Sequence, residues 1–280
     1  TSASAVLVAD IELAGYEWTP IGNNTNRFAG GFDGQNHAIV NLAINYSSTA
    51  KTNPYVGLFG YVSGATLSNF NVSGAITMTS TASVSRADSG GAVAIISGGS
   101  ITNVHSDVDI TVNGTSGNWN FVGGIAGNAF SNCVITNCSN SGDIVGKNYV
   151  GGIVGFASGT ISGCYNSGNI SGSTYIGGIV ASSSPVTIIS CYNVGDLTCR
   201  SNYVGGIIAS ETSTSVLSNC FNAGQVTFGG TSTNAGAVVG ISGSASDTNL
   251  YYLEGTFPTG IGNNSNDVIA TAISAETLAS

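Results

Sequence analysis

A 280-residue chain with only five Lys or Arg against 14 Asp or Glu lacks the clustered positive charge that holds nucleic acid or an anionic membrane surface. With 42% hydrophobic residues and 41 glycines it can bury enough apolar area to fold, so disorder is excluded. No apolar run reaches the roughly 18 residues of a membrane-spanning helix, and no basic stretch followed by an apolar core stands at Thr1, so any secretion signal is expected to have been removed.

Residues 1–17 read as a lead-in, with 6–13 expected as one strand covering the N-terminal end of the fold. From residue 18 the chain repeats itself. A glycine opening a short apolar run recurs at Gly31, Gly57, Gly91, Gly124, Gly152, Gly178, Gly206 and Gly236. A second column comes after it at Leu42, Phe70, Val104, Cys138, Cys164, Cys191, Cys220 and Leu250. Steps of 26 to 34 residues mark a solenoid or a propeller. The unit at 149–170 holds three short β-type runs, 150–155, 160–164 and 169–171, bounded by Gly, Ser and Asn. A propeller blade needs four strands in about 40 residues. The spacing therefore predicts an all-β, parallel β-solenoid, a right-handed β-helix of about eight three-stranded coils, with residues 18–254 as the repeat region.

Three excursions, 45–54, 77–89 and 113–120, interrupt the early repeats and are expected at corners, where binding loops accumulate. Residues 121–226 are the most regular. Residues 255–280 leave the pattern, although IGNNSN at 261–266 repeats IGNNTN at 21–26, and are expected to cap the solenoid or to start a further segment.

The stretches YVGLFGYVSGATLSNFNVSG (55–74), NYVGGIVG (148–155) and ISGCYNSGNI (161–170) resemble the GLUG repeat of bacterial surface proteins. That repeat also occurs in the non-catalytic region of IgA1-specific metallopeptidases. WTPIG followed by FAGGFDGQNHAIVNLAI, within residues 18–44, resembles the coil that commonly opens such arrays. The resemblance implies an extracellular or bacterial cell-surface location and a stalk or adhesive role toward a glycan or a host or surface protein.

Within the coils, Asn140, Asn166, Asn193 and Asn222 lie two residues after the Cys column and are expected as an outward ladder at a turn that supports positive φ. Tyr165, Tyr192, Phe221 and Tyr251 form an adjoining aromatic column, for cross-strand packing or for sugar stacking. The four stacked Cys are expected to be free, buried thiols, since strand spacing exceeds disulfide geometry and an axial row of four cannot surround zinc. Cys133 and Cys199 stand outside the column.

Asp109, Asp143 and Asp196 share one position after the core column, and Asp107 lies on the same strand face as Asp109. Asp107, Asp109 and Asp143 are thus a candidate Ca²⁺ site, the alternative being a solvated acidic face; no other cofactor is expected. His37 and His105 lie in no HExxH, and no GxSxG occurs. Asp143 with Lys147 and Asp196 with Arg200 recur at a four-residue spacing set by the repeat. The expected function is that of a non-enzymatic structural or adhesive solenoid with no nucleic-acid partner and no membrane insertion. The alternatives are a carbohydrate-active β-helix enzyme, an ice- or surface-binding solenoid, and a filament subunit associating end to end.

Overall fold

A computed structural model describes residues 3–48, 53–80, 86–113, 119–231, 233–244, 246–263 and 269–278. The three expected excursions are shorter than the sequence suggests: 45–48, 77–80, 86–89 and 119–120 are strand residues paired to neighbouring coils, because the strand ladders run on past the repeat, and only 49–52, 81–85 and 114–118 lie outside the described residues. Every strand pairing described is parallel, and each strand pairs with its equivalent in the neighbouring coil. One sheet runs in chain order through seven strands: Tyr55–Val56, Arg86–Gly90, Trp119–Gly123, Tyr149–Gly151, Tyr175–Gly177, Tyr203–Gly205 and Ala235–Gly236. Strands such as Phe59–Ser80, Val93–Asn113 and Val154–Ser162 build the other faces. The run at 150–155 is bent, with Gly152 and Ile153 at the corner between Tyr149–Gly151 and Val154–Ser162. The result is the expected parallel β-solenoid, with almost no helix.

The corner before the core column is made by left-handed residues. Asn69, Asn103, Asn137, Ser190, Asn219 and Asn249 have φ between 53° and 56°, and Gly163 stands at 62°. Asn reaches this region because its short amide can bond locally, whereas branched side chains clash there. The amides also connect coils: Asn103 Nδ2 donates to Asn69 Oδ1 at 3.0 Å, and Asn249 Nδ2 to Asn219 Oδ1 at 2.8 Å.

The expected outward Asn column is inward. Asn140, Asn166, Asn193 and Asn222 are fully buried, and positive φ lies one residue before the Cys column instead. Alternation along a strand puts residues i and i+2 on one face, so an inward Cys138 requires an inward Asn140. The amides tolerate burial because each is bonded. Asn140 Nδ2 donates to Asn166 Oδ1, Asn166 to Asn193 and Asn193 to Asn222, all at 2.8 Å, and each Nδ2 also donates to the carbonyl two residues on. The glycine column is hemmed in by these amides and by the carbonyl of the next coil. A methyl added at Gly124, Gly152, Gly178 or Gly206 would overlap the carboxamide of Asn140, Asn166, Asn193 or Asn222 within the same coil. Where the Asn position holds Tyr252, the residue over Gly206 is Ala237 rather than glycine.

The four column cysteines are free and buried, as expected, and so are Cys133 and Cys199. The four of the column pair in register, with Val104 before them and Leu250 after, and each thiol donates to a carbonyl of the preceding coil at 3.7 Å.

Three features of the ends differ from the expectation. The first coil does not follow the columns: Gly31 pairs with Thr66, Leu42 pairs with Gly74, and His37 stands opposite Phe70. Phe32 fills the core there, edge-on to Phe70 at 5.3 Å. Near the other end Gly236 pairs with Gly205, one residue off the column, leaving Ala237 over Gly206. The lead-in is two short strands, Ala5–Val6 and Ile11–Glu12, laid on the first coil with Leu7 and Leu13 buried beneath. Beyond residue 254 the coil continues for part of a turn, with Ala270–Ile273 paired to the strand before it and Ala270 over Leu250.

Candidate functional site

Tyr149, Tyr175 and Tyr203 are register partners at the start of three successive repeats, each in a Tyr-Val-Gly-Gly or Tyr-Ile-Gly-Gly run. Their rings stack at 4.5 Å with interplanar angles of 8° and 14°, close to the strand spacing that carries them. Trp119 extends the ladder, nearly parallel to Tyr149 at 6° and 5.7 Å. Stacked rings cover each other's faces, so the ladder has a free π face only at its ends. Trp119 is such an end, and it is 51% exposed.

That end opens on a cleft of about 530 Å³ walled by Trp119, Phe121, Phe130 and Phe156, with Arg86, Asn53 and Asn128 among its lining residues. Phe121 packs against Phe156 at 5.4 Å, and the Arg86 guanidinium lies 5.4 Å from the Phe121 ring centre. Beneath it Asp88, register partner of Phe121, is fully buried and bonded to Arg86 Nε at 2.6 Å. Arg86 and Asn128 line the polar side of this aromatic cleft, and behind it Arg86 Nη2 and Asn128 Oδ1 are buried without a hydrogen-bond partner. This is the usual composition of a ligand pocket, apolar walls with a few placed polar groups.

Burial pushes the Asp88 carboxyl up to about 7, against the opposing pull of Arg86 and Asn128. A folded-state value above the ordinary 3.8 means that this group's stabilising contribution is present below about pH 4 and is lost as pH rises through about 7. Asp88→Asn is expected to flatten the fall in melting temperature across that window. An unchanged slope in melts from pH 4 to 8 would show that Asp88 does not titrate there.

The aromatic column at Tyr165, Tyr192, Phe221 and Tyr251 is in register as expected, with Tyr165 and Tyr192 stacked at 5.0 Å and 3°. The acidic row has a backbone role. Asp109 Oδ1 accepts from the Asp143 N–H at 2.9 Å, Asp143 from Asn169 at 2.8 Å, Asn169 from Asp196 at 3.2 Å and Asp196 from Gln225 at 2.9 Å. Asp107 accepts from the Ser141 hydroxyl at 2.9 Å. Asp107, Asp109 and Asp143 are therefore neighbours engaged by separate donors, and among the described residues no three His, Cys, Asp or Glu side chains converge as a metal cluster. Lys147 and Arg200 line a different cleft with Ser171 and Ser173, while their sequence partners Asp143 and Asp196 serve the row. His105 is held by Ser139 at 2.7 Å and Asn103 at 3.2 Å, and His37 faces Asp10 of the lead-in at 3.0 Å.

The Tyr149 ladder was open to sequence reading as an aromatic repeated before each Gly-Gly pair. The cleft was not, because Arg86, Trp119, Asn128 and Phe156 come from separate stretches of the chain.

These features define a parallel β-solenoid with an aromatic cleft on one flank. The GLUG motif is present in it at residues 122–145 and 146–171. A candidate immunoglobulin A1 protease from Bacteroides ovatus has a similar fold, with a TM-score of 0.64 and 20% identity over 88% of this chain and 77% of that one. An IgA1 protease is similar at a TM-score of 0.61 and 20% identity, over 99% of this chain and 22% of that one. The present chain thus matches about a fifth of the second protein's length. At this identity the likeness is one of fold. No curated protein matches the sequence.

Proposed function

We propose that this chain is a non-enzymatic structural and adhesive segment of a secreted or cell-surface bacterial protein, and that it attaches to carbohydrate through the aromatic cleft. The observation that carries the reading is the free face of Trp119 above a cleft with Arg86 and Asn128 on its polar side. A pyranose ring has an apolar C–H face and polar rim hydroxyls, which match an aromatic face beside an Arg and an Asn. GLUG motifs and a fold shared with IgA1 proteases support a secreted or surface setting. The acids of the regular coils support a scaffold rather than catalysis, since one oxygen of each of Asp109, Asp143 and Asp196 accepts a backbone N–H of the next coil.

A glycan-array screen of the purified chain should give binding that Trp119→Ala weakens at least about tenfold, equivalent to about 1.4 kcal/mol, with an unchanged circular dichroism spectrum. Binding that survives both Trp119→Ala and Phe156→Ala would remove the cleft from the interaction. Polysaccharides and peptides should not be turned over. Turnover abolished by substituting Asp143, Asp196 or Arg200 would make the chain an enzyme.

A further inference from the structure

A second polar group lies far along the solenoid from the cleft. Glu211 and Asp247 sit on adjacent coils and each is 7% exposed. One oxygen of each is anchored: Glu211 Oε1 accepts from the Ser242 hydroxyl, and Asp247 Oδ1 accepts from the Leu217 N–H at 2.9 Å. The other two, Glu211 Oε2 and Asp247 Oδ2, are buried and have no hydrogen-bond partner. The carboxyl groups are close enough to act directly on each other, and no Lys, Arg or His is among the groups that influence either.

Two buried carboxyl groups that act on each other must be neutralised, because desolvation and mutual repulsion both oppose their charge. At Asp88 the chain supplies its own cation, Arg86. At Glu211 and Asp247 it supplies oxygen instead. Ser242 Oγ also lies 3.2 Å from the Ser244 carbonyl, Ser244 Oγ donates to the Ser215 carbonyl at 2.8 Å, and Ser215 Oγ lies 3.0 Å from Thr212 Oγ1. We propose that Glu211 Oε2 and Asp247 Oδ2, with the Ser242 hydroxyl and the Ser244 carbonyl beside them, bind a hard divalent cation, Ca²⁺ in preference to Mg²⁺. An oxygen-only set excludes the softer metals that favour Cys and His. Ca²⁺ accepts an irregular set that mixes carboxylates, carbonyls and water, whereas Mg²⁺ demands a near-octahedral one. Burial holds both carboxyls above their usual range, Glu211 at about 8, as expected of a pair that a bound cation would ionise. The site is separate from the exposed row of Asp107, Asp109 and Asp143, each of which gives one oxygen to a donor of the next coil.

The test uses the full chain stripped with EDTA, at pH 7.5. Calorimetry with CaCl₂ should show one ion per chain, melting temperature should rise with Ca²⁺, and MgCl₂ should have a smaller effect. Glu211→Gln and Asp247→Asn should each abolish the Ca²⁺-dependent shift while melting, metal-free, no lower than the parent chain, since each replaces a buried acid whose ionisation is opposed by a neutral isostere. Asp109→Asn should leave the shift intact. Absence of Ca²⁺ heat and of any melting shift would overturn the proposal in favour of a carboxyl pair sharing a proton. A shift lost in Asp109→Asn but kept in Glu211→Gln would overturn it in favour of the exposed row.

Discussion

Asn166→Asp is expected to destabilise the chain by about 4 kcal/mol or more at neutral pH, and to do so at the centre of the most regular coils. The Asn166 Nδ2 group donates twice, to Asn193 Oδ1 and to the Gly168 carbonyl, both at 2.8 Å, and its Oδ1 accepts from Asn140. A carboxylate keeps the acceptor but turns both donor contacts into lone pairs facing lone pairs, inside a fully buried ladder. Unpaired buried groups cost about 1 to 3 kcal/mol each, and a charge costs more. The variant escapes part of this by protonating, which restores one donor, so its deficit should shrink as pH falls from a raised folded-state pKa toward the ordinary Asp value of about 4. Urea melts at pH 7 and pH 4 measure this. Equal, small losses at both would mean that the carboxamide ladder contributes little and that Gly152, which faces it, is glycine for another reason.

Ile153→Asp is expected to be at least as damaging, by about 5 kcal/mol or more. Ile153 is fully buried at the corner where Tyr149–Gly151 turns into Val154–Ser162, with its N–H bonded to the Ile179 carbonyl of the next coil at 3.0 Å. Removing the side chain from the core forfeits about 1.5 to 3 kcal/mol of burial. Neutralising an acid there requires a pKa raised by several units, at about 1.4 kcal/mol each. Because each coil touches only its neighbours, the damage should open the middle coils first rather than the whole array at once. Hydrogen exchange should then show lost protection at residues 149–180 with the ends less affected. Ile153→Val, which keeps the shape, should cost about 1 kcal/mol. A melt of Ile153→Asp that matches the parent chain would place this side chain outside the core.

The repeat was legible because a parallel solenoid imposes the same environment on every coil. One inward position selects Cys four times running, one position is aromatic from Tyr165 to Tyr251, and both columns held in register through coils of unequal length. Legibility failed where a general rule about polarity competed with strand parity. Asn166 is polar, and polarity argues for the surface, yet it stands two residues from Cys164 and must face the same way. Parity prevails because a neighbouring amide replaces water as partner on each side. It failed again in the first coil, where Gly31 and Leu42 match the columns by residue type but pair with Thr66 and Gly74. There the end coil has a lead-in rather than a full repeat on its outer side, which relaxes the demand for the repeat's residues.

By itself, then, the sequence determined what is periodic about this protein: the parallel coil, its inward Cys column, the free thiols and the aromatic rows, all consequences of identical neighbours stacked at strand spacing. Only the tertiary structure decided what is not periodic. Arg86 meets Asp88 beneath Trp119, and Glu211 meets Asp247 with no basic partner, because coil length and corner geometry set which residues of different coils face each other. Spacing along the chain carries no record of those distances. The candidate sites lie where the repeat is broken, since a position that must satisfy the stack is not free to bind anything else.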